Sequence, residues 1–569
     1  MRYLKLAQLY EELSATTKRL EKTEILSKFL RQLTKEDKDI LYLLLGEIYP
    51  QYDERKIGIS DKLVIKSISK STGTEPKEVV KKWKLVGDLG KVAEELSKQK
   101  KQHTLANNIL TTEKILTNLR KLPELEGQGT VDKKISLIIE LMTSATSTEA
   151  KYLARTLIGD LRIGIQESTI RDAIVEAFFE KTDDNLEKVQ EAIDKANDIG
   201  LVFEISQTGK IKNLEKINLE IGKPIKAMLA QKVSSIEDGF KALGTPCAIE
   251  YKYDGFRLII HKNKDEVKLF TRRLENVTKQ FPEIVEYIQK YVKGKNFILD
   301  SEVVGFDSKT KEYKPFQEIS QRIKRKYNIE ELQKKLPVEI NVFDILFYNG
   351  KSYMQEPFEK RSNLVREIIE KIPYKIIPSK IIITDDKKKA EEFYKNALKD
   401  NQEGIMMKSL SAEYKPGRRV GYMLKLKPEE RDFDLVITSA EYGTGKRSGW
   451  LSSFILSCKD EKENKFLEIG KASTGLKEKT EQGLSFETLT KLIKPLIISE
   501  KGREVKIKPK IVVAITYQEI QRSPNYSSGF ALRFPRIMSL RNDRRAEEIT
   551  TLKEIEGDYL KQTQGWKYS

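Results

Sequence analysis

The chain has almost no sulfur or imidazole. Its 569 residues include two cysteines, Cys247 and Cys458, and two histidines, His103 and His261. Two cysteines exclude a disulfide framework and a four-cysteine zinc site, and point to a reducing interior. Neither histidine lies at a metal-ligand spacing, and both read as surface residues. Proline is scarce at first: Pro50, Pro76 and Pro123 precede residue 224, and the other fourteen of the 17 follow. No apolar run approaches the ~20 residues that cross a bilayer. The opening Met1-Arg2-Tyr3-Leu4-Lys5-Leu6 meets Glu11 and Glu12 before a signal-like core can form. The expectation is a soluble cytoplasmic protein without a membrane partner, nucleoid-associated if prokaryotic. Neither a solenoid repeat nor a low-complexity tail is present.

What the chain does have is charge. Lys and Arg number 104 against 86 Asp and Glu, a formal net charge of +18, so an anionic partner is expected, nucleic acid ahead of a membrane surface. At ~100–200 residues per domain, roughly three to five domains fit. The proline-poor part reads as helical, with apolar faces such as Leu6, Leu9 and Leu13, and Ile135, Ile138, Ile139 and Met142. From about residue 246, short β-rich runs take over: Phe256–His261, Phe297–Val304, Ile340–Phe347, Ile405–Lys408 and Met423–Lys427. Gly222-Lys223-Pro224 and Pro428-Glu429-Glu430 punctuate the chain. The division expected is an all-helical domain over 1–221, a mixed α/β domain over 222–428 and a β-rich domain over 429–569.

The stretch Ala248 to Arg257 carries the most chemistry. In a strand the side-chain period is two, so Glu250, Lys252 and Asp254 share one face. Asp300 and Glu302 share a face further on, and Lys425 and Lys427 alternate with Leu424 and Leu426. Several strands with charged faces imply a polar cleft over a sheet, suited to a polyphosphate and its metal.

These residues resemble the covalent nucleotidyltransferases, most closely the ATP-dependent DNA ligases of archaeal and eukaryotic replicative type. The signature is Lys252-Tyr253-Asp254-Gly255 with Arg257 five residues after the lysine. The further motifs follow in order: Arg272 after Phe270-Thr271, Glu302 in Asp300-Ser301-Glu302-Val303, Phe343 in Val342-Phe343-Asp344, Glu403-Gly404 with Lys408, and Arg419 six residues before Lys425. The last is Arg541-Asn542-Asp543-Arg544, where the commoner ending is lysine. The resemblance implies a multidomain chain: an all-α DNA-binding domain, an α/β nucleotidyltransferase domain and a β-barrel OB-fold domain that closes over the site. It also implies a monomer that acts on nicked duplex DNA with ATP and Mg²⁺, or Mn²⁺, in replication, repair and recombination.

In such an enzyme a lysine amine attacks the α-phosphorus of ATP. At a reference pKa of ~10.4, roughly one amine in 2,500 is neutral at pH 7, a cost of about 4.6 kcal/mol. Cations beside Lys252 are therefore expected, with Mg²⁺, Arg257 and Lys425 the choices. Glu250 lies about 6.6 Å away along the strand, and the resemblance gives it the adenine amino group and Phe343 the base stack. Glu302 and Glu403 are hard oxygen ligands for Mg²⁺. Lys408, Lys425, Arg272 and Arg419 are expected on phosphates, and the family places Arg257 and Arg272 near the ribose and the 5′-phosphate. Asp254 is expected to orient the site or the nick terminus. Arg541, Asp543 and Arg544 are assigned to orienting pyrophosphate.

Gly443-Thr444-Gly445-Lys446-Arg447-Ser448 looks like a phosphate-binding loop, but residue 440 is Ala and Arg follows the lysine, so the spacing fails. A hairpin whose basic tip, Lys446 and Arg447, meets DNA is expected instead. Arg155 to Gly164 resembles the family's minor-groove segment, with Arg155 and Arg162 gripping phosphates, and Ser168 is placed to cap the next helix. Gln102-His103-Thr104-Leu105 weakly resembles the start of a sliding-clamp contact. A GTP-using capping enzyme or an RNA ligase shares Lys252-Tyr253-Asp254-Gly255, but needs neither the helical domain nor the groove segment. The alternative of another class is a non-catalytic DNA-binding protein, against which stand the retained lysine, acids and paired basic residues. An NAD-dependent ligase is disfavoured because two cysteines cannot build its zinc module.

Overall fold

The structure is a computed structural model that describes residues 1–98, 109–125, 127, 129–314, 316–324, 328–428, 431–478 and 484–563. Among the described residues between Tyr3 and Glu215 the regular elements are all helical. The expected apolar stripes form their cores: Leu6, Leu9 and Leu13 are buried, as are Ile135, Ile138 and Met142, while Ile139 is half-buried. One departure concerns a cap. The helix Glu167–Phe178 starts after Gln166, whose side chain makes no capping bond, so Ser168 lies inside the first turn. The clamp-like Gln102–Leu105, with His103, lies outside the described residues. Among the described residues no helix is long and apolar enough to cross a membrane.

The chain forms two compact units. One comprises residues 17–56 and 165–428. Its strands are β1 (Gln231–Lys232), β2 (Cys247–Lys252), β3 (Phe256–Asn263), β4 (Glu266–Thr271), β5 (Asn296–Phe306), β6 (Tyr313–Lys314), β7 (Val338–Tyr348), β8 (Lys351–Ser352), β9 (Ile376–Pro378), β10 (Ile381–Thr384), β11 (Gly404–Lys408) and β12 (Met423–Leu426). They build a five-stranded sheet in the order β1-β12-β11-β2-β10 and a seven-stranded sheet along β4-β3-β5-β7-β8, with β6 on β5 and β9 on β7. Alternation on the second sheet sets its two faces. Leu258, Ile260, Leu299 and Ile345 pack against Ile284 and Val365, which lie on the helices Pro282–Tyr291 and Phe358–Ile368. Ile259, Ile298 and Leu346 pack instead against Met228, Tyr414 and Met423. Each such side chain contributes about 1.5–3 kcal/mol by leaving water.

His261, expected at the surface, is 1 % exposed. Its Nδ1 accepts the Gly222 N–H at 2.9 Å, and its ring meets Phe270 edge-on at 5.0 Å. The reason is the strand period, which puts it on the Ile259 face of β3. Burial, with Lys268 nearby, pushes the imidazole down to about 3.

The other unit comprises residues 1–16, 57–164 and 429–569. Its strands are β13 (Arg431–Tyr442), β14 (Leu451–Asp460), β15 (Lys465–Ala472), β16 (Ile497–Lys501), β17 (Glu504–Ile507), β18 (Val512–Tyr517), β19 (Glu519–Arg522), β20 (Phe530–Arg533) and β21 (Arg536–Leu540). β13 pairs with β14 along one edge, and along the other with β17 at one end and β18 at the other. Around this shared strand Leu435, Ile437, Leu456, Ile469, Val513 and Ile515 form the core.

A buried ion pair fixes β7. Arg361, 2 % exposed, donates to Asp344 at 2.7 and 3.1 Å and to the Ala412 carbonyl at 2.8 Å. Removing one partner strands the other in a dry interior. Arg361→Ala is therefore expected to cost about 3–5 kcal/mol, against about 1 kcal/mol or less for Lys18→Ala at the exposed Lys18–Glu21 pair. Thermal denaturation checks both, and equal effects would refute the assignment.

Candidate active site

β2 ends at Lys252, so the expected charged face does not continue to Asp254. Asp254 lies in the turn beyond, 7 % exposed, and its N–H donates to Gln402 Oε1 at 2.9 Å. Gly255 is required there because a Cβ would overlap the Val303 carbonyl. Gly404 opens β11 at φ +138° against the Leu426 carbonyl, again with no room for a Cβ. The preceding N–H, of Glu403, donates to the Lys252 carbonyl at 2.9 Å. The turn brings the Glu403 carboxylate to Lys252 Nζ at 2.7 Å. Lys427 reaches the same oxygen.

Lys252 thus meets a carboxylate first, where Mg²⁺, Arg257 or Lys425 was expected beside it. Burial works against ionisation of Glu403, but Lys252 and Lys427 outweigh it and hold the carboxyl down at about 2. Glu302, on β5, stands opposite Arg257 of β3 in register. It keeps part of its surface accessible, yet its crowded surroundings push its carboxyl up to about 8, against the pull of Lys252 and Arg257. The expected cations do gather close by. Burial, then Lys427, Lys252 and Arg419, lower the Lys425 ammonium below its ordinary value.

Arg257 is held on three sides. Its Nε donates to Asp300 at 2.8 Å, Nη1 to the Met228 carbonyl at 3.1 Å and Nη2 to Tyr414 Oη at 3.3 Å. The guanidinium lies 5.2 Å from the centre of the half-buried Phe343 ring, and Lys408 Nζ lies 4.8 Å from it. Lys408 also pairs with Glu250 at 2.5 Å, and Ser379 Oγ donates to the other Glu250 oxygen at 2.6 Å. Arg419 and Arg272 are exposed, Arg272 in the turn after β4.

Sequence reasoning missed Tyr414, Ser379 and Gln402, which lie outside alternating strand runs, and it noted Asp300 only for its face. The pocket around Phe343, Arg257, Lys408, Tyr414, Tyr422 and Met423 offers aromatic faces and two cations, and through Arg257 it neighbours Glu302, which Lys252 and Glu403 also influence. That set suits a nucleotide polyphosphate.

The comparisons agree. Three family models match: DNA ligase N terminus over residues 2–175, ATP dependent DNA ligase domain over 227–427 and ATP dependent DNA ligase C terminal region over 447–544. A DNA ligase of Nanoarchaeum equitans is 43 % identical over 567 residues, 99 % of each chain. One of Thermococcus fumicolans is 39 % identical over 556 residues, 98 % of each chain. The chain belongs to the ATP-dependent DNA ligase family. The solved structure called Pmar-Lig_PreS3 shares the ligase's fold, with a TM-score of 0.57 at 19 % identity, over 94 % of this chain and 99 % of that one.

The ligase's C-terminal motif follows β21 and closes on β13. Arg541 donates to both Asp434 oxygens at 2.9 and 2.7 Å and to Asp543 at 3.0 and 2.8 Å, and Arg544 meets Asp434 at 3.2 Å. Arg155, expected to grip phosphate, is 5 % exposed and directed inward to Asp88 at 2.7 Å and the Leu161 carbonyl at 3.1 Å. Arg162 takes a left-handed φ of +58° and donates to Asp160 at 2.8 Å and the Gly87 carbonyl at 3.0 Å. Gly443–Ser448 joins β13 to β14 as the expected hairpin; the side chain of Lys446 lies outside the described ones. Arg447 lies over the Phe486 ring at 4.1 Å.

These pairs differ in what their loss leaves behind. Lys252→Ala leaves Glu403 with Lys427, so the ligase's thermal midpoint without nucleotide should stay within ~2 °C of wild type. Glu250→Ala strands Lys408, which is 6 % exposed, and should cost about 3 kcal/mol or more. The reverse order in a denaturation series would refute this account.

Proposed function

We propose that the ligase seals nicks in duplex DNA through AMP bound covalently to Lys252, serving replication, repair and recombination. The observation that carries this reading is the Lys252 amine 2.7 Å from Glu403, beside a pocket of Phe343, Arg257 and Lys408. In the first step Nζ loses its proton and attacks the α-phosphorus of ATP. The bond to pyrophosphate breaks, and pyrophosphate leaves with the electron pair. The 5′-phosphate of the nick then displaces the lysine from AMP, and the 3′-hydroxyl finally displaces AMP.

Attack requires Nζ to leave the Glu403 carboxylate, and with it Glu302 forms the pair expected to hold Mg²⁺, or Mn²⁺. The donor set fits: the Glu302 and Glu403 carboxyls lie close enough to act on each other, and two hard oxygen groups suit an ion that takes its other ligands from water and substrate phosphates. A bound ion would polarise the α-phosphate and offset charge on the leaving pyrophosphate. Lys425, Lys408, Arg419 and Arg272 are assigned to phosphates, Glu250 to the adenine amino group, Phe343 to the base stack, and Asp254 to orienting the site.

Residues 1–221 are proposed as the DNA-binding domain, 222–428 as the nucleotidyltransferase domain and 429–569 as an OB-fold. The sharing of β13 between β17 and β18 supports a bent, partly open barrel for the last. Arg162, Lys446 and Arg447 are assigned to DNA, with Arg155 buttressing the segment, and the enzyme is assigned as a monomer. The +18 charge supports steeply salt-dependent binding.

With ATP labelled at its α-phosphate, wild type should gain covalent label, while Lys252→Ala and Lys252→Arg gain none; nick binding stays within a few-fold. Label from GTP but not ATP would favour a capping-type enzyme, and a labelled Lys252→Ala would remove the nucleophile. Arg541→Ala should slow labelling far more than sealing by enzyme isolated as the adenylate, because pyrophosphate is present only in the first step. Equal losses would leave Arg541 a structural role alone.

A further inference from the structure

The loop between β11 and β12 carries Tyr414 and Arg419 and is fixed from two sides. On the inner side Tyr414, 2 % exposed, donates from Oη to Asp300 at 2.7 Å and accepts the Met228 N–H at 3.2 Å. Arg257 donates to the same Asp300 and to the Met228 carbonyl, so Tyr414 braces both groups that hold Arg257. The loop backbone extends the brace. The Leu229 N–H donates to the Arg418 carbonyl at 2.9 Å and the Gly417 N–H to the Ala227 carbonyl at 3.2 Å.

On the outer side Arg418 meets Glu187 at 3.1 Å and Asp194 at 3.1 Å, and Lys415 meets Glu187 at 3.1 Å. Both acids lie on the helix Asp183–Ala196. Seven residues apart, they share one face two turns along it. The Asp194 side chain is 5 % exposed and that of Arg418 22 %, so water screens this contact less than a surface pair. Arg418 immediately precedes Arg419, so whatever fixes the one sets the backbone from which the other reaches out.

We propose that Glu187 and Asp194 are positioning residues for lysine adenylation, acting through Arg418 and Tyr414 on Arg257 and Arg419. The helix that carries them thereby serves the nucleotide pocket, well before the first strand in sequence. The proposal rests on the reading that ATP adenylates Lys252, and it adds that the pocket is incomplete without this helix.

The test uses the full chain and variants at four positions: Tyr414→Phe, which keeps the ring and loses the hydroxyl, Glu187→Gln at a half-exposed carboxylate, Asp194→Asn, and the pair Arg418→Lys and Arg418→Met. Label transfer from α-phosphate-labelled ATP is followed against ATP concentration. Glu187→Gln and Asp194→Asn, which weaken the pairs to Arg418 and Lys415, and Tyr414→Phe, which loses the bonds to Asp300, Met228 and Arg257, should each raise the KM for ATP about tenfold or more, while maximal adduct rate stays within a few-fold. Sealing by Glu187→Gln isolated as the adenylate should match wild type, and Arg418→Lys should recover part of what Arg418→Met loses. A normal KM in folded Glu187→Gln and Tyr414→Phe, or equal losses in labelling and sealing, overturns the proposal alone. A wild type that takes no label overturns the reading beneath it.

Discussion

Nucleophilic attack by a lysine needs a free electron pair on nitrogen, yet Lys252 Nζ is engaged by Glu403 at 2.7 Å. This contact is the constraint that the rest of the site serves. Glu403 also holds Lys427, and Glu302 stands opposite Arg257, so two carboxylates are interleaved with cations rather than set apart from them. On the proposed reading, entering phosphates would give these cations a partner and leave the two carboxyls to a divalent ion.

Shape selection lies next to this exchange. The Phe343 ring has Arg257 and Lys408 near it, and those two cations are tied in turn to Asp300 and Glu250. A cation 5.2 or 4.8 Å from an aromatic centre gains modestly from the ring's quadrupole. A base stacked on that ring would be surrounded by groups already fixed by buried ion pairs. Preorganisation of this kind lowers the ordering cost of binding a flexible triphosphate.

Much of this was legible in the sequence, because alternation marks strands well. The runs Phe256–His261, Phe297–Val304, Ile340–Phe347 and Ile405–Lys408 all fall inside observed strands, and Lys252, Glu302, Phe343 and Lys425 come from them or from β2 and β12. What alternation cannot supply is register. That Arg257 faces Glu302 while its guanidinium reaches Asp300 follows from the β3–β5 pairing, which depends on the whole sheet. Tyr414 and Ser379 sit in loops with no period. His261 was misplaced because a polar type outweighed its position on the Ile259 face, and Arg155 because charge suggested a surface that the helix packing denies it. Burial of polar side chains is a tertiary outcome, decided by whether a partner such as Asp88 waits inside.

The measurement that tests the central claim most directly is the position of the covalent adduct. The full chain is incubated with ATP and Mg²⁺, digested, and its peptides are mapped by mass spectrometry. The account predicts one added AMP, acid-labile as a phosphoamide, on the Nζ of Lys252. AMP attached at any other residue, or an intact triphosphate bound without covalent transfer, would contradict it.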